Sequence, residues 1–230
     1  MKEIAVSTVF LFFFLSFSYG QDAPALVEKV KTKIELVKDY EAAGTMRTNV
    51  PFLKVPVAEV TIYFKNPDKL KIKNPKGISL VPKGAVSMSL GNLMANKGFT
   101  AIPTGNEIIN GIPVKVIKLL PTDDNSEIVL STLYIDEARL LILKARTTTR
   151  ENGTYEISMQ YGKYANVALP DKATFTFNTK EYKLPKGVTF DYDDGSEKKA
   201  TESLKSNKGM LEITYNNYII NKGVSDAVFK

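Results

Sequence analysis

The chain has 230 residues, of which 43% are hydrophobic, enough for one sizeable core and a single domain. It contains no Cys, His or Trp, which excludes disulfides, thiolate nucleophiles, imidazole bases and the usual transition-metal ligands together. The net charge of +6, from 31 Lys and Arg against 25 Asp and Glu, is spread along the chain, and without a basic block or stacking motif it argues against a nucleic-acid partner.

Residues 1–20, MKEIAVSTVFLFFFLSFSYG, begin with Lys2, run apolar from Val9 to Phe17 and end in Ser18-Tyr19-Gly20. That is the pattern of a secretory signal peptide, and the apolar run is shorter than the ~20 residues that span a bilayer. Residues 21–230 are therefore expected to form one exported, periplasmic domain. Lacking Cys, it carries neither disulfides nor an N-terminal lipid of the usual bacterial kind, and its core alone must hold it together.

Asp22 and Pro24 suit a helix start. Leu26, Val27, Val30, Ile34, Val37 and Tyr40 then recur at spacings of three and four, which predicts an amphipathic helix over 25–41. Beyond it the period switches to two. Strands are predicted at 44–52, 57–65, 70–73, 78–81, 99–103, 107–109, 114–120, 127–136, 139–149, 153–164, 174–178 and 210–220. Their connectors carry turn residues, such as Asn66-Pro67-Asp68, Asn110-Gly111 and Asn152-Gly153, and their shortness makes neighbouring strands antiparallel. The expected fold is mainly β with helices: a large curved antiparallel sheet forming an incomplete β-barrel. The N-terminal helix and a short lid at 86–95 would lie over its concave face. Residues 197–208, polar and Lys-rich, read as a solvent-facing excursion.

Motifs of catalysis are sparse. Asp191, Asp193 and Asp194 before Gly195 lack the spacing and twelfth-position Glu of an EF-hand, so a turn is the simpler reading and no metal site is expected. Asn152-Gly153-Thr154 is formally a glycosylation sequon, but between two alternating runs it reads first as a hairpin turn. No phosphate-cradling Gly loop or nucleophile elbow occurs. Carboxylates are plentiful enough to keep an envelope hydrolase as a reading to test, yet nothing pairs two of them beside a sugar platform. The chain is expected to be a non-enzyme without cofactor.

The apolar strand faces carry the functional signal. Within 57–65 the alternating members include Val60, Ile62 and Phe64; within 153–164 they are Tyr155, Ile157, Met159 and Tyr161. A single helix of 17 residues, ~25 Å long at 1.5 Å per residue, covers too little of such a surface. Either flexible side chains of the 86–95 segment, Met88, Leu90, Leu93 and Met94, or an apolar guest must fill the hollow. These eleven residues are the candidate lipid-binding set.

Four stretches, YEAAGTM after the helix, IYFKNPDKLKIK, LYIDEARLLILKARTTTRENGTYEISMQYGKYANVALPD and YNNYIINKGVSDAVF, resemble the LolA-like proteins, the outer-membrane lipoprotein-sorting group of diderm bacteria. Tyr134-Ile135-Asp136 stands where that group has a Trp-x-Asp before a turn, and Lys65 to Lys71 where it has a basic residue, Pro and a basic strand. The resemblance implies an incomplete barrel whose cavity holds lipoprotein acyl chains during periplasmic transfer, with envelope donor and acceptor proteins as partners. Where the carriers latch their lid with an Arg, this chain offers Lys65 or Lys71, which cannot make the same bidentate contacts. The expected function is a monomeric carrier of lipid or lipoprotein acyl chains. The alternative is a sensor or protein-interaction module on the same fold, its hollow filled by its own side chains.

Overall fold

From Tyr40 onward apolar residues occupy every second position, and the backbone is extended with those residues turned to one side. The computed structural model describes residues 23–50, 53–54, 56–67, 69–74, 98–151, 153–178 and 208–229. In chain order its strands are β1 (Asp39–Val50), β2 (Leu53–Lys54), β3 (Ala58–Lys65), β4 (Lys69–Lys73), β5 (Phe99–Ile109), β6 (Ile112–Pro121), β7 (Ile128–Asp136), β8 (Leu141–Thr149), β9 (Gly153–Gln160), β10 (Lys172–Asn178) and β11 (Lys208–Ile220). They form one antiparallel sheet in the order β4-β3-β1-β11-β10-β9-β8-β7-β6-β5, with β2 paired to β1. Among the described residues β4 and β5 are its free edges, so the sheet is a barrel left open.

Strands β5 to β9 follow one another as hairpins, as short turn-rich connectors require, and β10 pairs back on β9 after a 3-10 helix. Asn110 and Gly111 both adopt positive φ, 50° and 80°, the geometry of a tight hairpin turn that only such residues take easily. The last strand then inserts between β10 and β1, joining the two ends of the chain in the middle of the sheet. Gly44 marks a register shift in that pairing; a Cβ there would lie 2.5 Å from the Thr214 carbonyl oxygen, so the close approach requires Gly.

The helix α1 (Ala23–Ile34) is shorter than predicted. Its buried stripe, Ala23, Leu26, Val27 and Val30, packs on Ile117, Leu119, Leu133, Ile135, Ile142 and Met159, so it covers the β6–β9 half of the apolar face. After Ile34 the bonds tighten, Leu36 stands 54% exposed, and the chain turns into β1. Asn221, at φ 55°, closes this corner: its side-chain oxygen accepts the Lys38 and Asp39 amides at 2.7 and 3.3 Å, and its amide donates to the Leu36 carbonyl at 2.9 Å. Tyr40 fits a helical spacing from Ile34 and Val37, but it fits the alternation of Ala42 and Met46 as well. Pairing of β1 on both sides, with β3 and β11, decides for the strand.

Three other boundaries differ from the sequence reading. The two strands predicted at 99–103 and 107–109 are one, β5, with a register shift between Pro103 and Gly105 that an edge strand tolerates. The strand predicted over 139–149 begins at Leu141, because Asp136 bonds the Arg139 backbone amide and guanidinium and holds the turn. The strand predicted over 153–164 ends at Gln160, beyond which the chain turns into a 3-10 helix at Ala165–Val167. The predictions for 1–20, 78–81, 86–95, 191–195 and 197–207 lie outside the described residues. Among those described, no helix is long and apolar enough to cross a membrane.

Candidate functional site

Strand register gathers the second half of the apolar face. Met159 lies opposite Ala173, and Ala173 opposite Ile213; Ile157, Phe175 and Leu211 form the next row, and Tyr155, Phe177 and Gly209 the row beyond. On the other side of β11, Ala42 pairs with Ile62 and Tyr40 with Phe64, and these continue to Ile72 and Leu70 of β4. All these side chains share one face, by the two-residue period of each strand.

Between this floor and the connecting segments lies a partly open cavity of about 160 Å³. Its floor and one wall are Ile157, Met159, Ala173, Phe175, Leu211 and Ile213; the opposite wall is Tyr40, Phe64, Leu70 and Ile72. Ile34 and Val37, at the end of α1, and Val167 to Pro170, after the 3-10 helix, overhang it. Tyr215 completes the lining, which among the described residues includes no charged side chain. The volume is close to that of a dry engineered cavity, roughly 150 Å³, that takes up benzene.

Aromatic rings stiffen one end. Tyr40 stacks on Phe64 with centroids 5.2 Å apart and meets Tyr218 edge-on at 5.2 Å, while Tyr215 stacks on Tyr218 at 5.0 Å. Tyr218 donates to the Pro170 carbonyl at 2.6 Å and Tyr161 to the Ile142 carbonyl at 3.0 Å. The Tyr40 and Tyr215 hydroxyls lie near enough to act on each other's ionisation. Burial pushes the Tyr215 hydroxyl up to about 12 and raises those of Tyr40, Tyr161 and Tyr218 well above the ordinary phenol range. These groups stay neutral at physiological pH, as hydrogen-bonding rather than acid-base elements.

Of the eleven residues singled out from sequence, Phe64, Ile157 and Met159 line the cavity. Val60, Ile62 and Tyr155 share its face, buried in the same apolar cluster but outside the lining. Tyr161 lies past the end of β9, where it packs with the α1 cluster instead of pointing into the hollow. Met159 is 6% exposed and belongs to both neighbourhoods: it lines the cavity and packs under α1. Met88, Leu90, Leu93 and Met94 lie outside the described residues.

The remaining polar features are structural. Lys65, read from the resemblance as one replacement for a latching Arg, pairs with Asp226 of the C-terminal segment at 3.0 Å, and Lys69 joins the same carboxylate at 2.8 Å. Ser131 and Thr147 bond each other at 2.9 Å beneath the sheet's own cover. Among the described residues no three acidic side chains gather as metal ligands would.

Leu70, Ile72, Ala173, Phe175, Leu211, Ile213 and Tyr215 were missed as lining residues. Their alternation was visible in the sequence, as in Leu211, Ile213 and Tyr215, but parity does not say which strands become neighbours. Val167 to Pro170 had no periodic signal.

No protein-family model matches the sequence, and no curated protein is significantly similar to it in sequence. Solved structures are similar in fold. A domain from Vibrio parahaemolyticus assigned to outer membrane lipoprotein sorting superposes with a TM-score of 0.55 at 12% identity, covering 90% of this chain and 95% of its own. A LolA superfamily protein from Nitrosomonas europaea gives 0.53 at 13% identity, covering 90% and 97%. A DUF1329 family protein from Desulfovibrio piger gives 0.53 at 11%, with the same coverage of 90% and 97%. The chain thus shares the open-barrel fold of these proteins.

Proposed function

We propose that this protein is an exported, non-catalytic carrier that binds acyl chains of lipids or lipoproteins and moves them through the periplasm toward the outer membrane. One observation carries the reading: a partly open cavity of about 160 Å³, walled by aliphatic and aromatic side chains without a charge, on the concave side of an open barrel. The segment at 1–20 has the form of an export signal, and the fold is shared with a domain assigned to lipoprotein sorting.

The cavity accommodates a stretch of about six carbons, by comparison with the benzene-sized hollow, and the rest of the chain leaves through the open side. Each methylene buried contributes about 0.8 kcal/mol, so that stretch alone supplies roughly 4 to 5 kcal/mol without any charged anchor. Release then requires a competitor for the chain or a widening of the cavity, which partner proteins would provide. Displacement of a fluorescent acyl probe tests the reading. Phospholipid or lipoprotein should compete with the probe, whereas a protein that takes up no probe from vesicles would instead be an interaction module with a self-filled hollow.

A further inference from the structure

The cavity lining is apolar except at one place, where Tyr40 and Tyr215 face it from β1 and β11. The other buried tyrosines near it have spent their hydrogens: Tyr218 donates to the Pro170 carbonyl and Tyr161 to the Ile142 carbonyl. Among the described residues the Tyr40 and Tyr215 hydroxyls have no neighbour of that kind but each other. Two hydroxyls hold two hydrogens and a bond between them can use only one, so the two tyrosines keep at least one donor for whatever enters.

An apolar guest would displace water from that donor and leave it unmet, at a cost. A carboxylate would accept it, but among the described residues no cation lines the cavity to pair the charge, and an unpaired buried charge is far more costly than an unmet hydroxyl. A neutral carbonyl oxygen satisfies the donor without that cost.

We propose that the Tyr40–Tyr215 pair is a polar anchor for the carbonyl of an esterified or amide-linked acyl chain, so that the cavity holds the carbonyl-proximal stretch of the chain. This rests on the carrier reading and narrows its cargo to acyl esters and amides over free fatty acids and hydrocarbons. Because each hydroxyl carries a hydrogen of its own, either tyrosine alone can still serve. Tyr40→Phe or Tyr215→Phe leaves one hydroxyl with its own hydrogen; only the double replacement removes the donor.

The test is calorimetric titration of the purified, delipidated protein with three probes of matched length: methyl hexanoate, hexane and hexanoate at neutral pH. The ester should bind about three- to tenfold tighter than hexane, the range one neutral hydrogen bond is worth, and hexanoate weakest. Each single Tyr→Phe variant should keep most of that preference. The double variant should bind ester and hexane equally, with hexane held at least as tightly as by the parent because no donor is left unmet, a control that a folding defect would not pass. Equal binding of ester and hexane by the parent protein overturns the anchor and leaves the carrier reading standing. Tighter binding of hexanoate than of the ester overturns it too, by requiring a charged partner. Binding of none of the three overturns both.

Discussion

Ala173 stands at the start of β10, opposite Met159 on one side and Ile213 on the other, and lines the cavity. Replacing it with Phe adds a benzene ring to a hollow of about 160 Å³, a volume near that which admits free benzene. Burying a Phe side chain contributes about 1.5–3 kcal/mol, and an imperfect fit costs about 1–3, so the two nearly offset. Stability by urea unfolding should therefore change little. Acyl binding should not survive, because the ring takes the place of about six guest carbons, worth about 0.8 kcal/mol each, and affinity should fall by roughly three powers of ten. Thr174→Phe, on the opposite face by alternation, is the control and should bind normally. The assay is displacement of a fluorescent acyl probe alongside the urea curves. A folded Ala173→Phe protein with parental affinity would refute the assignment of the cavity as the site, and an unfolded one would refute the claim that the hollow is free space.

Met159→Arg should destabilise the protein by several kcal/mol in urea and not merely abolish binding, since Met159 is also packed beneath α1; a variant as stable as the parent would place that contact in doubt. Asn221→Ala breaks the three bonds that join the helix–strand corner to the end of β11 and puts Ala at positive φ, so a loss of about 1–3 kcal/mol is expected, with binding weakened through Val37 and Tyr40. At high pH the raised tyrosines bind protons in the folded state that the unfolded chain releases from about pH 10, so stability is intact below that value and declines from pH 10 toward 12 as Tyr155 and Tyr215 approach about 12. Phenolate absorbance should then rise together with unfolding; ionisation without unfolding would contradict the burial. In acid, Asp226, held below the ordinary carboxylate range by Lys69 and Lys65, keeps its pairs until the pH falls through that lowered value, and amide shifts of Ala227 and Val228 should move there and not earlier.

Strand alternation made legible which faces are apolar, and hence that Ile62, Phe64, Tyr155, Ile157 and Met159 share one. The turn chemistry of Asn110-Gly111 made the β5–β6 hairpin legible because few residues tolerate two successive positive φ angles. The end of α1 was not legible, because Val37 and Tyr40 satisfy both periods and long-range pairing with β3 and β11 chooses between them. The same non-local pairing brings Leu211 and Ile213 beside Ala173 and Phe175, and no local signal in the sequence announces it. Tyr215 falls in step with Leu211 and Ile213 but out of step with Tyr218, because the bulge beside Gly44 shifts the register between them.

The most direct measurement is native mass spectrometry of the protein purified from its own cells without detergent exchange. The carrier account predicts a population one acyl lipid heavier than the polypeptide, lost on stripping, regained from lipid vesicles and absent from Ala173→Phe. A parent protein that is ligand-free as isolated and takes up nothing from vesicles would contradict it.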